Sequence, residues 1–213
     1  MKAAPIYFQT SSGHMMNLLA PSPEDIFITD IASHLSMLCR FSGATRAFYS
    51  VAQHSVMVAR MVPLHAKAHA LLHDAHEAFL GDITSPVKSA LIFLGDKSLA
   101  KITAKIDRAI HAAFGLEYPA PREIQAVIQH ADQVALATEK RDLLEYAEWN
   151  LPLPSPAKHR IRPLTWPLAL DLFIKEYQNA LEVTPSMVMA QERLRKTRFE
   201  KITNPKPERL KNV

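Results

Sequence analysis

Histidine and aspartate stand side by side at His73 and Asp74, inside the run LLHDAHEAFLGDITSPVK from Leu71 to Lys88. Both are metal-ligand types, and neighbours on a helix diverge by about 100°, so the pair can flank one cavity wall. Glu77 follows one turn later and shares a face with His73 at i, i+4. An ion gripped by two side chains needs further ligands from elsewhere in the chain. Upstream, FYSVAQHSVMVARMV places His54 on the same stripe as Val51, Val58 and Met61. Downstream, REIQAVIQHADQVALATEKRDLLEYA aligns Asp132 with Ile128 and Ala135. An imidazole and a carboxylate at buried positions are costly unless paired or metal-bound. His54, His73, Asp74 and Asp132 are therefore expected to form one site drawn from three helices.

The order His, then His-Asp, then a distant Asp on successive helices resembles the HD-domain metal-dependent phosphohydrolases. Similarity is closer to the HD-domain 5′-deoxynucleotidases and their prophage-associated relatives. It is carried by HDAHEAFLGDITSPVK, with SVAQHS before it and HADQVALATEKRDL after it, and runs from Ile26 to Leu144. The resemblance implies an HD-domain helical bundle whose nucleotide substrate is a (deoxy)ribonucleoside monophosphate, cleaved to nucleoside and inorganic phosphate. It implies that Glu77 orients water or protonates the leaving 5′ oxygen, and that Asp82 hydrogen-bonds near the sugar or the attacking water. Arg40, ahead of the His54 helix, is the residue implied to fork onto phosphate. Beside it Phe41 stands where the similar enzymes typically carry a Trp against the deoxyribose, a departure at the position that meets the sugar. The similar nucleotidases form dimers, so a homodimer is expected.

Two imidazoles and two carboxylates leave open positions on one divalent ion for water and substrate. Mixed nitrogen and oxygen donors favour Co²⁺ or Mn²⁺, with Fe²⁺, Ni²⁺ or Zn²⁺ also suited and Mg²⁺ less so. An alkoxide leaving group needs a proton, so one carboxyl must be neutral, and Glu77 and Asp82 both stay open for that part. Lys88 can neutralise phosphate or simply be solvated. His76 creates H-x-x-H-E, which matches neither zinc-peptidase order, and is read as supporting or exposed, as is His130. His14, His34, His65, His69, His111 and His159 lack partner motifs and read as surface or packing residues. There is no Gly-rich phosphate loop, no G-x-S-x-G elbow and no Cys nucleophile context. Two other functions stay open. One is a different HD-type hydrolysis, of a dNTP to release triphosphate, of an alarmone or of a cyclic nucleotide. Few basic residues surround the motif for such substrates. The other is a non-catalytic, metal-stabilised binding module, which would have no need of Glu77 and Asp82.

The elements that must position these residues read as helices. With 213 residues, 48% of them hydrophobic, the chain suits one domain with a sizeable core. Few glycines (5) and many prolines (15) favour an all-α architecture with Pro-marked loops. Helices are expected from a Thr29 or Asp30 cap to about Arg40, over Val51 to Met61, Ala66 to Leu80, Val87 to Leu94, Ser98 to Phe114, Arg122 to Trp149 and Pro167 to Leu181. Met1 to Pro23 reads as extended or loop structure with at most one small hairpin. Pro152, Pro154 and Pro156 mark a rigid loop. A single domain is expected over 1–190, with an extension over 1–25 packed on it and a basic tail over 191–213.

The net charge of +4 belongs to that tail, since Glu192 to Val213 holds eight Lys or Arg against three Glu. Without interleaved aromatics the tail reads as a solvated, partly helical or disordered end rather than a nucleic-acid contact. The apolar faces of the Ser98 and Pro167 helices suit either the core or a second copy. Cys39 is the lone cysteine, no basic leader precedes an apolar run, and no run approaches the roughly 20 residues of a membrane span. A soluble cytoplasmic protein is the expectation.

Overall fold

The computed structural model describes residues 4–203, with side chains described through 196. The last ten residues of the basic tail lie outside the described residues. A hairpin comes first, β1 (Tyr7–Gln9) antiparallel to β2 (Met15–Asn17) with Phe8 opposite Met16. The helices follow as α1 (Ile28–Met37), α2 (Val51–Met61), α3 (Lys67–Leu71), α4 (Glu77–Leu80), α5 (Ser85–Phe93), α6 (Ser98–Ala113), α7 (Arg122–Leu143), α8 (Trp166–Glu182) and α9 (Pro185–Thr203). Among the described residues the hairpin supplies the only strands, so the fold is all-α.

α2 is the axis of the bundle. Ser50 caps it, its Oγ accepting the Gln53 N–H at 3.2 Å. α1, α3, α7 and α8 all pack on it, which buries Val51, Ala52, Val56, Val58 and Ala59 together with His54 and Ser55. Ser55 satisfies its hydroxyl on the Val51 carbonyl at 3.0 Å. His54 needs a polar partner as well, and the site supplies it.

The N-terminal segment is tied to the bundle by a buried carboxylate. Asp30 does not cap α1, whose N-cap is Phe27. It instead accepts Ser11 Oγ at 2.8 Å, Ser12 N–H at 2.9 Å and Ser12 Oγ at 2.7 Å, which pins the hairpin tip.

Several expected boundaries differ from the observed ones, among them the end of α1 at Met37 rather than Arg40. The helix expected over Ala66 to Leu80 is broken into α3 and α4 by turns at residues 72–76. His73 causes the break in part, because its Nδ1–H donates to the Ala70 carbonyl at 2.7 Å. That carbonyl is the one an α-helix would offer to the Asp74 N–H. Bonds to the third residue back replace the ladder, Ala75 N to Leu72 O at 3.1 Å and Glu77 N to Asp74 O at 2.9 Å. α7 stops at Leu143 rather than Trp149. Arg46 captures its last carbonyls, donating Nη2 to Asp142 O at 3.0 Å and its backbone N–H to Leu143 O at 2.9 Å.

Past α8, α9 crosses the boundary drawn at 190 and buries Met187, Ala190 and Leu194 against α6 and α8. The faces of α6 and α8 that could have met a second copy lie in the chain's own core, through Ile106, Ile110, Phe173 and Tyr177. No helix among the described residues is long and apolar enough to cross a membrane.

Candidate metal centre

His54 enters the site from α2, His73 and Asp74 from the turn between α3 and α4, and Asp132 from α7. One ligand atom each from His54, His73 and Asp74 lies within 4.8 Å of the others. Oδ2 of Asp74 is 3.2 Å from Nε2 of His73 and 3.5 Å from Nε2 of His54. Asp132 Oδ1 approaches the same His54 nitrogen to 3.2 Å. Asp132 was expected among buried positions, but its side chain is 43% exposed and forms the rim. It sits between buried Ala131 and Ala135 on α7.

The outer nitrogens of both rings are held from behind. His54 Nδ1 donates to Glu139 Oε1 at 2.7 Å, and His73 Nδ1 to the Ala70 carbonyl. An acceptor behind Nδ1 fixes the proton there and turns the Nε2 lone pair forward, which is how metal-binding imidazoles are prepared. Nε2 of both rings is buried and makes no hydrogen bond. The carboxylate oxygens of Asp74 and Asp132 beside these nitrogens favour a positive charge there, supplied by a proton or by a metal ion that takes the proton's place.

The charges around the site point the same way. Burial pushes Asp74, Asp132 and Glu139 up, but cationic or imidazole neighbours outweigh it and hold all three below the usual carboxylate range. His73 is the main opposing influence for Asp74, His54 for Asp132 and Arg40 for Glu139. Against these three anions stands one permanent cation, Arg40. Burial and Arg40 push His54 down, yet Glu139 and Asp132 lift it to about 9. The cavity therefore favours added positive charge, and its mixed nitrogen and oxygen donors fit a divalent transition ion.

Glu139 falls within the stretch HADQVALATEKRDL, but the sequence reading assigns it no role. It is fully buried on α7 and also receives Arg40 Nη2 at 3.1 Å. Its signal in the sequence was its position seven residues, two turns, after Asp132 on the same helix face. Arg40, expected to reach a phosphate, turns its terminal nitrogens to Glu139 and, at 3.6 Å, to Asp74. Its Nε is buried and unpaired.

Phe41 and Ser42 adopt left-handed φ values of 56° and 51°, a strained state for a bulky residue. In return the Phe41 N–H reaches Asp82 Oδ2 at 3.1 Å, and the Arg40 guanidinium lies 5.3 Å from the Phe41 ring centre. Glu77 is 3% exposed, with Oε1 lying 3.5 Å from Lys88 Nζ and Oε2 buried and unpaired. Burial, then Asp74 and Asp82, push its carboxyl up to about 7, against the opposing pull of Lys88. His76, read as supporting or exposed, is paired through Nδ1 with Asp107 of α6 at 3.0 Å. His130 is exposed. All nine residues singled out by the sequence thus meet in one region.

No family model matches the chain. It is 33% identical over 181 residues to the uncharacterized protein YfdR of Escherichia coli (strain K12), an alignment that covers 83% of this chain and 97% of that protein. The chain belongs to the YfdR family. A second relative of this YfdR-family chain, the uncharacterized protein RCAP_rcc00048 of Rhodobacter capsulatus, is 36% identical over 149 residues, covering 64% of this chain and 72% of its own.

Proposed function

We propose that this chain is an HD-domain phosphohydrolase that uses one divalent ion to remove the 5′-phosphate of (deoxy)ribonucleoside monophosphates. The observation that carries the reading is the pair of buried, unpaired Nε2 atoms of His54 and His73, each anchored through Nδ1 and converging on Asp74. The motif resemblance supplies the substrate class. His54, His73, Asp74 and Asp132 would hold the ion, with Co²⁺ or Mn²⁺ best suited. Bound there, the ion would polarise the phosphoryl group and lower the pKa of an attacking water.

The remaining steps fall to the chain. Water attacks phosphorus and loses a proton as the bond from phosphorus to the 5′ oxygen breaks, and that oxygen takes up a proton. Glu77, whose carboxyl is pushed up by burial, is the proton donor. Arg40 offers its unpaired Nε–H and its charge to a phosphoryl oxygen. Lys88 adds positive charge beside Glu77, and Asp82, held by the Phe41 N–H, accepts from the sugar or the water. Phe41 lines the sugar side, and the resemblance adds assembly into a homodimer.

The test is phosphate release by metal-stripped protein from 5′ deoxyribo- and ribonucleoside mono-, di- and triphosphates, with Mn²⁺, Co²⁺, Mg²⁺ or no metal, alongside Asp74→Ala. Metal-dependent release from monophosphates that vanishes in Asp74→Ala is expected. No release from any monophosphate under any metal would overturn the proposal.

A further inference from the structure

Asp74 belongs to a second cluster on its other side. One ligand atom each from Asp74, His76 and Glu77 lies within 4.8 Å of the others, as in the His54, His73 and Asp74 group. His76 is prepared in the manner of the first two imidazoles. Its Nδ1 is held by the Asp107 carboxylate at 3.0 Å, which leaves Nε2 as the nitrogen available to a ligand. Glu77 contributes the independent sign of a missing partner, since it is 3% exposed and its Oε2 is buried without a hydrogen bond. Its other oxygen lies 3.5 Å from Lys88, whose side chain is 41% exposed and able to swing outward. A buried, unpaired carboxylate oxygen beside a second carboxylate is costly unless a cation is bound.

The geometry points to a second divalent-cation site formed by Asp74, His76 and Glu77, with Asp74 shared between the two ions. This inference deepens the proposed function and rests on the first metal site described above. A second ion there would add a binding point for a phosphoryl oxygen. The second site has fewer protein ligands and competes with Lys88, so it binds more weakly than the first. Filling it also engages the carboxylate that the proposed reaction uses as its acid. Excess metal is therefore expected to slow hydrolysis.

The experiment is a Mn²⁺ titration of the full, metal-stripped chain, with bound metal measured by equilibrium dialysis and spin coupling by electron paramagnetic resonance. Two Mn²⁺ per chain are expected at saturation, the second appearing with an exchange-coupled signal. Glu77→Gln and His76→Ala, each checked for folding by circular dichroism, are expected to bind one Mn²⁺ without coupling. Saturation of the unaltered chain at one Mn²⁺ would overturn the second site, and so would two ions persisting in both variants. Phosphate release from a deoxyribonucleoside monophosphate, measured on the same samples, separates the two proposals. Two coupled ions without hydrolysis leave the site standing and remove the function, whereas one ion with hydrolysis does the reverse. A chain that binds no Mn²⁺ overturns both.

Discussion

Glu139 Oε1 accepts the Nδ1 proton of His54 at 2.7 Å, and neither side chain is exposed to solvent. The contact joins α7 to α2 across the centre of the bundle. The same carboxylate receives Arg40, so one residue with no assigned role in the motif orients the His54 imidazole and holds the guanidinium beside it. Glu139→Gln keeps the shape but removes the charge. Mn²⁺ affinity, measured by isothermal titration calorimetry, is expected to fall about 10- to 100-fold. Unfolding in urea without metal is expected to show a loss of about 3 kcal/mol, since Arg40 then lacks its buried counter-charge. An unchanged metal affinity would mean that Glu139 serves packing alone.

Metal should also stabilise the fold. An ion bound only by the folded chain adds about 2.7 kcal/mol at a free concentration of 100 times its Kd. Thermal unfolding of the stripped protein with increasing Mn²⁺ is therefore expected to show a rising midpoint. In Asp74→Asn, which lacks the charge shared by both clusters, the midpoint is expected to stay flat. A rise of equal size in the variant would place the ion elsewhere.

Gly115 links α6 to α9. Its φ is 65°, and a Cβ there would run into the Ser186 carbonyl oxygen at the start of α9. Gly115→Ala adds left-handed strain and a backbone collision together, with an expected loss of about 2 kcal/mol in urea unfolding. Little or no loss would show that α9 can shift without harm to the domain.

A pH dependence follows from Asp142. Its carboxylate accepts Arg141 Nε at 2.7 Å, the Ile161 N–H at 2.8 Å and Arg160 Nη1 at 2.8 Å, closing the proline loop onto the end of α7. The Arg141 hydrogen bonds, opposed by burial and joined by the Ile161 and Arg160 contacts, hold it well below the usual carboxylate range. A folded pKa below the unfolded one gives stability that is present above about pH 4 and lost as pH falls toward the folded value. Urea midpoints measured from neutral to acid pH should therefore decline more steeply in the parent than in Asp142→Asn. Equal slopes would remove Asp142 from the acid transition.

What the sequence determined by itself was the grouping of His54, His73, Asp74 and Asp132 in one region and the helices α2 and α7 that bear two of them. α2 has the expected bounds of Val51 and Met61, and α6 comes within one residue of its expected end, because apolar residues at helical spacing must face one core. The tertiary structure decided the rest. Glu139 lies in the charged stretch EKRD and reads locally as helix surface, and only the approach of α2 and Arg40 makes its burial favourable. The break at His73 depends on where that imidazole turns, a choice between solvent, metal and the Ala70 carbonyl that helix periodicity does not carry. α9 was hidden for a related reason. Among the described residues its buried apolar stripe is Met187, Ala190 and Leu194, too narrow to stand out in a basic segment until α6 and α8 offer a surface to bury it.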